Sequence, residues 1–340
     1  MFPRRWFLLC AVSAGAFAAD STDWLARVGG KIERDANRRV VAVNLRGSWI
    51  NDAEMLQLAE LPDLERLDLS HTRISDEGML RLKSAPKIRD LNLYYSEWIT
   101  DQGMTAIRAW KHLKRLNLRG TRISDGTLEI VSRMPGLEAL DIAHTQFTEN
   151  GLDHLITLIH LKELAMGGGG RRGNTGLAVL RMLPTLTHLD LSGARPTPPD
   201  MPNRAGAGQG IPEESLRAMA ELKDLRVLKL GHSGISGPGL RILSTLEKVE
   251  KLGLEGCRRM DDNAIDGLVN WKSLKYLDLQ DTQITAAGVE ALRKARPDLT
   301  ILYRANPLNR DSGQNLGQRA AGRGYLPEPR TDNAVGHSQV

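Results

Sequence analysis

The chain has 340 residues, and 46 Lys and Arg against 41 Asp and Glu give it a formal charge of +5. The basic side chains are interleaved with acids and form no stripe with aromatics, which excludes a nucleic-acid footprint. Its two cysteines are Cys10, in the leader, and Cys257, so the mature chain forms no intramolecular disulfide and its stability must come from packing.

Arg4 and Arg5 precede the apolar run Trp6 to Val12, and Ala16-Phe17-Ala18 offers small residues to a peptidase; this pattern predicts an export signal over residues 1–19. The run is short of the roughly 20 residues that span a bilayer, which argues against stable membrane insertion. The arginine pair is also similar to a twin-arginine signal, although Pro3 stands before it. The expected location is therefore the periplasm or the extracellular medium, with the mature chain starting near Ala19.

Residues 20–39 read as an N-terminal cap of one helix and a lead-in strand. From Val40 the phrase LxxLxL takes over. It runs through Leu64-Leu67-Leu69, Ile88-Leu91-Leu93, Leu113-Leu116-Leu118 and Leu137-Leu140-Ile142, then Leu161-Leu164-Met166, Leu186-Leu189-Leu191, Leu225-Leu228-Leu230, Val249-Leu252-Leu254 and Leu274-Leu277-Leu279. Starts are 24 or 25 residues apart except for one interval of 39, which gives ten coils and a truncated eleventh over residues 40–303. Self-similarity at this period predicts a strand and a helix per coil, stacked into a horseshoe. A second phrase, Ile74-Ser75-Asp76-Glu77-Gly78-Met79, opens each helix. Ser75 is expected as N-cap, with Asp76 and Glu77 favourably placed against the helix dipole. Six large apolar side chains per coil cannot offset the entropy of ordering about 24 residues, so no coil stands alone.

These phrases resemble the bacterial leucine-rich-repeat proteins whose coils read LxLxxTxITDxGLxxL, from Trp24 to about Leu302. The resemblance implies an α/β solenoid with a parallel sheet on the concave face and helices on the convex face. The segment Gly29 to Asp35 resembles the lead-in strand that covers the open sheet edge in that family, a cover that edge chemistry also requires. The phrases are also similar to the ribonuclease-inhibitor-like repeats and to the cysteine-containing repeats of eukaryotic F-box proteins. The latter likeness implies an alternative role as an adaptor or effector in ubiquitin-ligase-dependent degradation, though no F-box is read ahead of the repeats.

Repeat register gives each chemically reactive side chain a place in the coil. Cys257 falls on a column of small residues with Ser48, Thr72, Ser96, Thr121, Thr145, Gly169, Ala194, Ser233 and Thr282, which predicts a structural thiol. His71, His144 and His232 share one register position on coils two, five and eight. That spacing is too wide for a metal, so they are expected to be independent surface residues. Trp110 and Trp271 are expected in the core, and Trp49 and Trp98 near the rim. Gly167 to Gly173 lacks the order of a phosphate loop. Arg195 to Gly210 reads as a rim insertion, and residues 304–340 as a disordered tail.

No paired catalytic carboxylates, activated nucleophile or metal cluster survives this register, so no enzyme activity and no cofactor are expected. The predicted function is a monomeric protein-binding scaffold; binding of carbohydrate or another envelope component is a further alternative. The contact patch is expected on coils two to five: Arg66, Asp68, Asp90, Asn92, Tyr94, Tyr95, Arg115, Asn117, Arg119 and Asp141.

Overall fold

The computed structural model describes residues 22–85, 87–168, 174–193 and 211–305. The expected export signal, the Arg195–Gly210 insertion, the glycine-arginine run beyond Gly168 and the tail beyond Ala305 lie outside the described residues.

A short helix, α1 (Asp23–Arg27), leads into β1 (Lys31–Arg34), which pairs antiparallel with β2 (Val40–Asn44). Charged Lys31, Glu33 and Arg34 line this edge and discourage pairing with another chain. From β2 onward every strand is parallel to the next and follows sequence order. The series runs β3 (Arg66–Asp68), β4 (Asp90–Asn92), β5 (Arg115–Asn117), β6 (Ala139–Asp141), β7 (Glu163–Ala165), β8 (His188–Asp190), β9 (Val227–Lys229), β10 (Lys251–Gly253), β11 (Tyr276–Asp278) and β12 (Thr300–Leu302). The sheet remains open, and the return path of each coil is helical, so the molecule is an α/β solenoid.

Each strand spans about three residues because the phrase supplies one buried residue between two that face the groove. The central leucines stand opposite one another from Leu67 through Leu91, Leu116 and Leu140 to Leu277. With the apolar helix residues they form one continuous core. Trp110 and Trp271 are buried within it; Trp271 Nε1 donates to the Leu246 carbonyl at 2.9 Å.

The helix phrase has a role that the dipole argument missed. Ser75, Thr100 and Thr285 cap their helices through side-chain oxygens as expected. The aspartate after the cap, however, reaches the next coil rather than only facing its own helix end. Asp52 accepts from Ser75 N at 2.8 Å and Ser75 Oγ at 2.6 Å, and Asp76 accepts from Thr100 N at 2.7 Å and Thr100 Oγ1 at 2.5 Å. Asp101 does the same for Ser124, Asp125 for Thr148, and Asp262 for Thr285. In four of the receiving coils the glycine three residues after the cap, Gly78, Gly103, Gly151 and Gly288, makes room for the staple from the preceding coil. A Cβ on Gly151 would lie 2.1 Å from Asp125 Oδ1, and one on Gly103 would lie 2.4 Å from Asp76 Oδ1. The motif DxG is therefore a device for stacking.

Candidate functional site

Two columns of side chains flank the buried leucines and pave the concave face. The first column, in strand order from β3, is Arg66, Asp90, Arg115, Ala139, Glu163, His188, Val227, Lys251 and Tyr276, all in register. Arg66 pairs with Glu33 of β1. Arg115 skips one strand and grips Glu163 through both terminal nitrogens, at 3.2 and 2.9 Å. It passes over Ala139, whose methyl leaves the span open. Asp90 lies 3.9 Å from Arg115, beyond hydrogen-bonding reach, and burial pushes its carboxyl up despite Arg115 and Arg66. The Arg115 hydrogen bonds pull the Glu163 carboxyl down.

The second column is largely committed to the backbone. Asp68, Asn92, Asn117 and Asp141 each accept, through Oδ1, from the backbone N–H two residues on, at 2.8–3.1 Å. These Asx turns end the strands. Asn92 also donates Nδ2 to Asp68 Oδ2 at 3.0 Å, linking two rungs. Burial pushes the Asp141 carboxyl up, while Arg119 stands 3.8 Å away. The ten residues singled out by sequence thus form one contiguous surface on β3 to β6 and the turns after them. Arg66 and Arg115 are already paired, Arg119 stands within ion-pair range of Asp141, and Asp68, Asn92, Asn117 and Asp141 hold turns. Glu163, Glu33 and the trough residue His188 were missed. A depression of about 420 Å³ runs along this part of the groove, lined by Asp90, Arg115, Arg119, Asp141, Glu163 and His188 among others.

Beyond the strands the chain turns at one residue of positive φ in every described coil but the last. Gly47, Gly120, Gly168, Gly193 and Gly256 fill that position in five coils; His71, Tyr95, His144, His232 and Asp281 fill it in five others, at φ between 53° and 57°. Non-glycine residues in this region are uncommon. In four of those five coils the side chain is an aromatic ring. Tyr95 leans over Gly120, His144 over Gly168 and His232 over Gly256, each where a Cβ would collide with the ring.

The histidines are well separated, and among the described residues no group of His, Cys, Asp or Glu is arranged to hold a metal. The expectation that each is an independent surface residue fails for His71. Its ring stacks on Tyr95, with centroids 5.8 Å apart and planes 7° from parallel, and meets Tyr94 edge-on at 5.1 Å. Tyr94 and Tyr95 are themselves edge-to-face at 4.7 Å. Coils are about 4.8 Å apart, so side chains at one register position of adjacent coils touch. The sequence signal for this turn was present: glycine alternating with histidine, tyrosine and aspartate at one repeat position marks positive φ.

Outside that cluster the rim carries Trp49, 80% exposed, and Trp98, 62% exposed. The Arg73 guanidinium sits 5.7 Å from the centre of the Trp49 ring. A second depression, of about 310 Å³, lies between Trp49, Asn51, His71 and Arg73.

Cys257 is structural. Its Sγ is buried, donates to the Leu230 carbonyl of the preceding coil at 3.1 Å, and is pushed up by burial to about 11. A thiol held neutral in this way is a poor nucleophile.

An open, sequentially ordered parallel sheet built on LxxLxL coils, with staples and caps between them, defines a leucine-rich-repeat protein. A leucine-rich-repeat family model matches residues 60–83 and 272–292. The solenoid is also similar to the crystal structure of an internalin from Listeria monocytogenes, at a TM-score of 0.52 and 17% identity, covering 74% of this chain and 69% of that one. That likeness concerns the fold. No curated protein sequence matches the chain significantly.

Proposed function

We propose that this protein is an exported, non-enzymatic scaffold that binds a protein partner with the N-terminal half of its concave sheet and the adjoining rim. The observation that carries this reading is the gathering of His71, Tyr94, Tyr95, Trp49 and Trp98 with arginines on coils one to three, while Trp110 and Trp271 are buried. Tyrosine, tryptophan and arginine are the residues that dominate interface energetics. Two of these rings sit at positive φ, where glycine serves other coils, and such strain persists where surrounding structure compensates it. Export rests on the Arg4 to Ala18 pattern; among the described residues no helix is long and apolar enough to cross a membrane.

The test is a pull-down from culture medium and cell-envelope extract of the source organism with the mature chain, in parallel with a variant carrying Tyr94→Ala, Arg115→Ala and Arg119→Ala. Partners captured by the first and lost by the second support the reading. Equal recovery of every partner overturns the patch, provided circular dichroism shows both solenoids folded.

A further inference from the structure

We propose that the rim of coils one to four anchors the partner, and that the partner inserts there an acidic segment whose carboxylate adjoins an apolar side chain. This rests on the protein-binding reading and gives the partner a chemistry.

Charge supplies the first argument. Two arginines of the concave patch are hydrogen-bonded to carboxylates, Arg66 to Glu33 and Arg115 to Glu163, and the half-buried Arg119 stands 3.8 Å from Asp141. Arg46, Arg73 and Arg122 are exposed and have no carboxylate partner among the described residues. Arg46 precedes the positive-φ turn of coil one, and Arg73 and Arg122 follow those of coils two and four. The carboxylates nearest in sequence register are Asp52, which is committed to Ser75, and the exposed Glu97. Three uncompensated guanidiniums against one free carboxylate attract an anion and repel a basic segment. Three cations are too few to follow a polyphosphate backbone.

Apolar surface supplies the second. Among the exposed large apolar residues of the described chain, Trp49 and Trp98 are the aromatic ones, and both lie on this rim. The guanidinium of Arg73 stands against Trp49 while most of the indole stays in solvent. A ligand that offers an apolar group to the indole therefore brings its neighbouring atoms to Arg73, and a carboxylate is the group that pairs with a guanidinium in two-pronged fashion. The depression of about 310 Å³ between Trp49, Asn51, His71 and Arg73 receives side chains of a protruding segment rather than a whole domain. His71, held from behind by the stacked Tyr95 ring, forms one wall.

The experiment selects random peptides displayed on phage against the immobilised full mature chain and measures the affinities of the enriched peptides by calorimetry. Enriched peptides are expected to carry Asp or Glu within two positions of an apolar residue. Trp49→Ala and Arg73→Ala are each expected to weaken them at least tenfold, and Lys251→Ala, on β10 at the far end of the sheet, to leave them unchanged. Arg73→Glu should abolish binding of the acidic peptide and restore it when the peptide's acid is replaced by Lys. Enrichment of basic or uncharged peptides, no enrichment, or indifference to Arg73→Glu overturns the proposal. Saturable binding of oligogalacturonate that depends on Trp49, with no peptide selected, overturns it in favour of an anionic saccharide. The pull-down separates the two levels: partners lost on the concave triple variant but kept on Trp49→Ala/Arg73→Ala leave the scaffold reading intact and sink this one. Absence of both partners and peptides sinks both.

Discussion

Replacing Asp101 by Ala tests the claim that aspartate staples, as well as leucine packing, hold the coils together. Its carboxylate accepts from four donors on the next coil: Ser124 N at 2.8 Å, Thr127 N at 3.0 Å, and the hydroxyls of Ser124 and Thr127. Thr127 is fully buried, so its amide and hydroxyl lose their acceptor where water cannot replace it. A buried donor left unsatisfied costs about 1–3 kcal/mol. Ser124 is reached by solvent more readily, so Asp101→Ala is expected to destabilise by about 2–5 kcal/mol in all. The assay is urea denaturation followed by circular dichroism, with hydrogen exchange at the Ser124 and Thr127 amides to place the loss between coils three and four. Asp101→Asn keeps the Oδ1 position, which takes three of the four bonds, and should recover most of the loss. Burial pushes the Asp101 carboxyl up, but the Ser124 and Thr127 bonds together bring it below its usual value. A carboxyl lowered by folding contributes stability that is present above its unfolded pKa and lost as pH falls through the lower folded value. The Asn variant should therefore lack this part of the acid-induced loss. A loss under about 1 kcal/mol for Asp101→Ala would refute the staple reasoning, since one ordinary hydrogen bond contributes that much.

The same geometry makes Gly151→Ala destabilising by about 1–3 kcal/mol, because its Cβ would lie 2.1 Å from Asp125 Oδ1; the penalty should shrink in an Asp125→Ala background, read as a double-mutant cycle. Cys257 should resist iodoacetamide at pH 8 in the folded protein and react at a rate that follows urea-induced opening. Its thiol rises from 9.0 to about 11 on folding, so the stability it contributes is complete below pH 9 and lost as pH rises toward 11. Fast native-state labelling would contradict its burial. On the outer edge of the sheet, Lys162 and Lys114 hold the Glu138 carboxyl down at about 2. Its contribution is present above pH 4.5 and disappears as pH falls toward 2. These side chains are solvated, so Glu138→Gln should cost under about 1 kcal/mol at neutral pH and less still in 1 M salt; a larger, salt-insensitive loss would contradict a surface ladder.

The features legible in the sequence were those that repeat within every coil. The leucine spacing placed the strands, one register comparison moved Cys257 from nucleophile to core, and another buried Trp110 and Trp271. What escaped was whatever depends on the relation between coils. Asp76 reads as a helix-dipole residue until the next coil is stacked and Thr100 arrives at its carboxylate. Arg115 and Glu163 are 48 residues apart, and their pairing depends on an alanine occupying the strand between them. At the C-terminal end stands Arg296, a position on which the coil phrases are silent. It is 4% exposed and donates to the Trp271 carbonyl at 2.9 Å and the Leu274 carbonyl at 2.8 Å, satisfying groups of the preceding coil near the end of the repeats. The positive-φ column was visible as a mixture of glycine with histidine and tyrosine, but its meaning lay in backbone geometry rather than in side-chain type.

The staples bear on where a binding site should be placed. Among the described residues they run without a break from Asp52 to Thr148, tying the helices of coils one to five, and return at Asp262 and Thr285. Among the described helix starts between them, two carry no aspartate after the cap: Pro212 precedes Glu213 in one, and Gly237 follows the Ser236 cap of the next. A solenoid's stability is a sum of coil and neighbour terms, so the stapled section is the stiffer one. Recognition by rings and guanidiniums loses least entropy when its groups are held in place before the partner arrives. Trp49, Arg73, His71 and the two tyrosines stand on that section, on coils joined by the Asp52–Ser75 and Asp76–Thr100 bonds. The sequence pattern that stacks these coils thus also preorganises the rim assigned to the partner.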